Sequence, residues 1–247
     1  MSFQNKVVVI TGASSGIGKA VAIGLAKQGA SVVINGRREH ALVEVAREID
    51  PTGARVAYVA GDISEPQIAE RLIKEGLSRF GRIDTLVNNA GIFISKPFMD
   101  YTEEDFRSVM SINMTGFFHV TQRAVTEMLK EGSGHIINIT ASGVAEQPLK
   151  SVPAVLAALT KGGLNTATKS LAIEYADKGI RVNAVAPGVI KTPMHTVESH
   201  DFLAKVHPVG RMGEVQEIVD AIVYLESAKF VTGEILHVDG GQNAGQW

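Results

Sequence analysis

Val7-Val8-Val9-Ile10-Thr11-Gly12-Ala13-Ser14-Ser15-Gly16-Ile17-Gly18 is the stretch that decides the fold. An unbroken β-branched run gives way to three glycines and then to a segment with helical spacing. A chain turning this tightly, with its backbone against a pyrophosphate, needs residues without a Cβ at Gly12, Gly16 and Gly18. The helix that follows offers unpaired N–H groups and the positive end of its dipole to phosphate, with Ser14, Ser15 and Ile17 in the same turn. A glycine-rich turn alone can be a simple chain reversal. The strand before it and the helix after it supply the context that nucleotide binding requires.

Outward from this turn, similar apolar runs recur at Ser31–Asn35, Arg55–Ala60, Thr85–Asn88, His135–Thr140, Arg181–Ala186 and Glu234–Val238. They are nearly continuous rather than alternating, as suits parallel strands buried on both faces. Helical spacing fills the intervals, for example over Gly18–Gly29, Glu39–Asp50, Glu65–Phe80 and Ser111–Glu131. Parallel strands need crossover helices, so the alternation indicates an α/β chain with a doubly wound parallel sheet of about seven strands. No repeat or Pro/Ser-rich linker interrupts the series, and one domain spanning 1–247 is the expectation.

Bulk composition narrows the function. The chain is 45% hydrophobic and 20% charged, ordinary for a globular protein with a full core. A formal charge of −2 gives no electrostatic reason to expect nucleic acid or an anionic membrane as partner. There is no cysteine, which removes disulfides and thiolate metal sites, and no metal site is expected. The N-terminus lacks the apolar core of a signal peptide, and no run is long enough for a membrane span. A cytoplasmic protein is the expectation.

Further motifs sit at strand ends, where open α/β sheets bind ligands. Gly61-Asp62-Ile63 ends the third run, Asn88-Asn89-Ala90-Gly91 the fourth and Pro187-Gly188-Val189-Ile190-Lys191-Thr192 the sixth. With the three-residue spacing between Gly12 and Gly16, these motifs resemble the short-chain dehydrogenase/reductase family over most of the chain. The resemblance implies a Rossmann-type fold and a nicotinamide cofactor. It places Asp62 and Ile63 at the adenine and Asn89, Ala90 and Gly91 along the cofactor. Pro187, Gly188, Ile190 and Thr192 fall at the nicotinamide carboxamide.

Cofactor choice is read at the end of the second run. An NAD enzyme places Asp or Glu there to accept from the ribose 2′-hydroxyl. This chain has Asn35-Gly36-Arg37-Arg38. Guanidinium groups pair with a 2′-phosphate in bidentate fashion, whereas a carboxylate would repel it. NADP(H) is therefore expected over NAD(H), the alternative being a solvated arginine pair.

The catalytic set is incomplete. The resemblance implies an Asn, a Ser and a Tyr-x-x-x-Lys on the catalytic helix, with tyrosine moving the proton and lysine lowering its pKa and gripping the nicotinamide ribose. Asn113 and Lys161 match, but the position four residues before Lys161 is Ala157. No tyrosine lies between Tyr101 and Tyr175, so no realignment supplies one. The serine usually stands where Ala141 falls; Ser142 serves if the loop carries an extra residue, and Thr140 is the other candidate. For the missing acid, Lys161 itself, helped by a water in the space beside Ala157, competes with His195; His200 and His207 are weaker.

The expected activity is an NADP(H)-linked oxidoreductase interconverting a carbonyl and an alcohol. A cofactor-binding sensor or assembly subunit without turnover is the alternative, and a lyase or epimerase a weaker third. Segment 193–212 is expected to wall the substrate pocket opposite Phe93, Ile94 and Leu149, favouring a small or medium, partly apolar substrate. The Leu236–Gly241 tail resembles the family's subunit-contact region, and a terminal Trp247 is costly to expose. A homotetramer is the expectation.

Overall fold

Each apolar run becomes a strand: β1 Val7–Ile10, β2 Ser31–Gly36, β3 Val56–Ala60, β4 Thr85–Asn88, β5 Gly134–Ile139, β6 Ile180–Pro187 and β7 Ile235–Val238. The computed structural model describes residues 3–245, and in it the strands form one parallel sheet in the order β3-β2-β1-β4-β5-β6-β7. The order reverses between β1 and β4. Chains leaving those two strands diverge to opposite sides and open a crevice at the carboxyl ends.

Side chains alternate across the pleat, so a single apolar run feeds two cores. Val8 and Ile10 of β1 face one layer, with α1 (Gly16–Lys27), α2 (Glu39–Ile49) and, later in the chain, the helix Val215–Ser227. Val7 and Val9 face the other, with α3 (Pro66–Phe80) and the helix Gly116–Glu131. The doubly wound α/β architecture read from the sequence is present.

Between β4 and β5 the chain forms α4 (Glu103–Met110), a five-residue π turn at Ser111–Thr115, and α5 (Gly116–Glu131). The sequence pattern had run the helix unbroken from Ser111. The π turn instead widens the helix around Asn113, whose buried amide bonds outside its own helix. After β5 come α6 (Gly143–Glu146) and α7 (Val155–Tyr175); after β6 come α8 (His200–Ala204) and α9 (Val215–Ser227). Among the described residues no helix is long and apolar enough to cross a membrane. Trp247 lies outside the described residues.

Candidate active site

The glycine turn is built by contact with β4. A Cβ on Gly12 (φ +67°) would come 2.8 Å from Ala90 Cα, and one on Gly18 would strike Asn89 Nδ2. Asn89 Nδ2 donates to the carbonyls of Thr11 (3.0 Å) and Gly12 (3.1 Å), and Thr11 Oγ1 accepts from the N–H groups of Asn89 and Ala90. Asn89 and Ala90 thus shape the turn from below. Ser15 stands at the N-cap of α1 with no side-chain cap, and no acidic residue lies in the first turn. Open N–H groups beside a Cβ-free turn fit a pyrophosphate. Gly16 (φ +56°) faces Thr192, with 3.6 Å to a Cβ placed there, so the two ends of the expected cofactor cleft meet.

At the end of β2, Ser14 packs on Gly36, a Cβ there lying 3.0 Å from Ser14 Cβ. Arg37 and Arg38 follow, both exposed, their side chains engaged in no ion pair or hydrogen bond among the described residues. Asn35 is buried and donates to the carbonyls of Val59 (3.0 Å) and Gly61 (3.2 Å), joining β2 to the Asp62–Ile63 corner. Asp62 Oδ1 caps its own loop, accepting from Ser64 N and Oγ, and Ile63 is buried.

Asn113 and Lys161 come together across Gly91. A Cβ on Gly91 would lie 3.2 Å from Lys161 Nζ and 3.4 Å from Asn113 Oδ1. The Asn113 amide clamps one residue on both sides: Oδ1 accepts from Ile92 N at 2.9 Å, and Nδ2 donates to Ile92 O and to Thr160 Oγ1, both at 3.1 Å. Thr160, which no sequence motif had singled out, thereby ties the residue next to Lys161 to the π turn. Lys161 Nζ donates to Ile139 O at 2.8 Å and meets no carboxylate among the described residues. Burial without a counter-charge lowers its pKa to about 8.

The expected serine does not reach this cleft. Ser142 is fully buried, and its hydroxyl donates to the Asp239 carboxylate beyond β7. Its N–H donates to Pro187 O at 2.9 Å, so Ser142 continues the β5–β6 ladder, with its hydroxyl taken by Asp239. Thr140 is buried as well, 3.4 Å from Val185 O. Ala141, the half-buried residue between them, has no hydroxyl to offer. The water space expected beside Ala157 is also missing: Ala157 is 3% exposed. Nearby, Ser95 Oγ donates to Pro153 O at 2.8 Å, which draws the β4–α4 loop onto the segment entering α7.

The turn after β6 is held by its neighbours. Gly188 N donates to Val238 O (3.0 Å), Lys191 N to Gly213 O (2.9 Å) and Val189 N to His207 Nε2 (2.9 Å). His195 follows this turn, half-buried, its pKa lowered by burial and then by nearby His200. Among the described residues no cluster of three His, Asp or Glu could hold a metal.

Comparison with known proteins agrees with this geometry. A family model described as Enoyl-(Acyl carrier protein) reductase matches residues 12–243. An uncharacterized oxidoreductase of Thermotoga maritima is 38% identical, covering 99% of this chain and 100% of its own. Glucose 1-dehydrogenase of Gluconobacter oxydans is 37% identical, covering 97% and 92%. Among solved structures, 3-ketoacyl-(acyl-carrier-protein) reductase from Brucella melitensis, complexed with NADH, superposes with a TM-score of 0.90 at 32% identity, covering 97% of this chain and 99% of that one. A variant of actinorhodin polyketide ketoreductase with NADPH gives 0.90 at 31%, covering 97% and 98%.

Proposed function

The chain belongs to the short-chain dehydrogenase/reductase family, and from that premise we propose that it is an NADP(H)-linked oxidoreductase interconverting a small or medium, partly apolar carbonyl compound and its alcohol. The observation that carries this reading is Lys161: an ammonium at the strand ends beside Gly91 and Asn113, bonded only to a carbonyl, with its pKa lowered to about 8. When bound, the nicotinamide supplies or accepts the hydride. The chain's own residues do the rest. Gly12, Gly16, Gly18 and the uncapped start of α1 hold the pyrophosphate, and the turn from Pro187 to Thr192 orients the carboxamide. Lys161 grips the ribose and gives the substrate oxygen its proton in reduction, or takes it in oxidation, because neither Ala141 nor Ala157 carries a hydroxyl. Asn113 acts by holding the Ile92 peptide beside Lys161.

A cofactor-binding protein without turnover is the second reading, favoured by the loss of both hydroxyls from the cleft. A stopped-flow panel of carbonyl compounds with NADPH separates the two. Single-turnover hydride transfer supports the enzyme; tight NADPH binding with no transfer to any compound leaves the second reading.

The exposed Arg37–Arg38 pair supports NADP(H) over NAD(H). Converting both to alanine is expected to weaken NADPH binding tenfold or more and to leave NADH nearly unchanged, since only NADPH carries the 2′-phosphate. Titration of nicotinamide fluorescence reads both, and equal losses for the two cofactors would count against this assignment.

The proposed homotetramer has support in uncovered apolar residues. On α7 Leu159 is 57% and Ile173 82% exposed, and Phe118 on α5 is 55% exposed. Sedimentation of the native chain is expected to give four copies, and of Ile173→Glu a smaller species. A native monomer would overturn the assignment.

A further inference from the structure

We propose that His207 is a positioning residue of the cofactor site: its ring, protonated at Nδ1 and accepting at Nε2, locks the nicotinamide turn to the loop region that follows it. This rests on the reading above that Pro187–Thr192 holds the nicotinamide.

His207 is 2% exposed and each ring nitrogen meets a backbone group that can play only one part. Val189 N can only donate, and it lies 2.9 Å from Nε2. Leu203 O can only accept, and it lies 3.0 Å from Nδ1. The proton therefore sits on Nδ1 and the Nε2 lone pair faces Val189. Among the described residues no other side chain bonds Val189 N.

The packing around the ring is close. A Cβ on Gly188 would come 2.7 Å from His207 Nε2, and one on Gly240 (φ +60°) would come 3.3 Å from His207 Cβ. Both glycines are thus needed for the imidazole to fit between β6 and β7. His207 O accepts from Gly210 N at 2.9 Å, and Val209 N donates to Gly240 O at 3.2 Å. One side chain therefore joins α8, the turn after β6 and the end of β7.

The charged groups around it are already engaged. Asp239 accepts from Ser142 Oγ, Gly241 N and Asn243 N. Arg211 forms a bidentate pair with Glu217 on α9, and His237 on β7 pairs with Glu146. On and beside α8, Asp201 and Lys205 are exposed and His200 is half-buried. His207, Arg211, Glu217, His237 and Asp239 share a cavity of about 240 Å³.

Two measurements on the whole chain test this. Long-range 1H–15N NMR of the protein without cofactor, near pH 8, is expected to show His207 protonated at Nδ1 alone; a proton on Nε2 overturns the proposal. NADP+ affinity by calorimetry is expected to fall about tenfold in His207→Phe, which has no acceptor for Val189 N, and to stay near the native value in His207→Gln, whose side-chain oxygen accepts that bond. His207→Asn serves if the Gln variant misfolds. Equal NADP+ affinity in the native and Phe chains, or an equal loss in both variants, overturns the proposal. Absence of NADP+ binding in the native chain sinks the functional reading instead, while the ring tautomer still decides whether His207 makes this joint.

Discussion

Replacing Lys161 with alanine is expected to slow NADPH-dependent carbonyl reduction by about 10²–10⁴-fold, the usual cost of removing a general acid. Lys161→Arg separates the two roles given to this residue. Arginine keeps the positive charge and the donors that grip a ribose, but it does not surrender its proton near neutral pH. Cofactor affinity should survive in Lys161→Arg while turnover is lost. The pH profile carries the sign: the ammonium form is the acid, so reduction falls as pH rises through about 8, and oxidation rises over the same range. The positive charge of an oxidised nicotinamide shifts the oxidative limb to lower pH. Single-turnover stopped-flow with separate cofactor titrations measures each quantity. Full activity in Lys161→Arg would reduce the lysine to a ribose grip and move the proton donor elsewhere, with His195 the next side chain to test. Ala157→Tyr is expected to be a poor rescue. Its site is already covered, and overpacking costs about 1–3 kcal/mol before any proton moves.

The second large effect lies at the opposite, amino-terminal ends of the central strands. Glu226 on α9 is 1% exposed and is surrounded by Lys6, His135, Arg181 and Lys229. Asn183 donates to His135 Nε2 at 3.0 Å, which fixes the imidazole proton on Nδ1, facing Glu226 Oε2 at 2.7 Å. His135 is therefore neutral, and burial lowers its pKa to about 4. Burial alone would raise the Glu226 carboxyl, but the hydrogen bonds from His135 and Lys6 and the Lys6 ammonium charge outweigh it and hold the group below the usual range. Glu226→Leu removes the one anion of this cluster, leaving the buried His135 Nδ1–H without its acceptor and the partly exposed Lys6 and Arg181 without their carboxylate. Such changes cost about 3–5 kcal/mol, or roughly 10 °C in Tm for a chain of this size. Calorimetry that finds Tm unchanged would show the cluster to be solvated and dispensable.

Acid should act on the same cluster in the native protein. His135 has a folded pKa below its unfolded value of 6.5, so its contribution is complete above 6.5 and lost as pH falls toward about 4. Glu226 contributes above its unfolded value of 4.5 and is lost below it. Stability is thus expected to begin falling under pH 6.5 and to fall faster under 4.5.

Much of this molecule was legible in the sequence because its signals are local. Seven apolar runs of strand length, each followed by helical spacing, determine a parallel sheet, and Gly12, Gly16 and Gly18 mark where its first turn must lack side chains. Lys161, Asn113 and the absence of tyrosine at Ala157 are equally plain, since a fixed spacing on a helix presents a fixed face. What the sequence could not decide is where a hydroxyl or an imidazole points once strands from distant parts of the chain converge. Ser142 looked available, but the Asp239 carboxylate, 97 residues away, takes its hydroxyl and buries it. Ala157 looked like open space, but in the folded chain it is buried. His207 read as a loop residue because nothing local reveals that Val189 N–H and Leu203 O close on its two nitrogens. Spacing along one element sets which residues share a face. Only the packing of separate elements sets which polar groups are already satisfied, and that decides which remain free for chemistry.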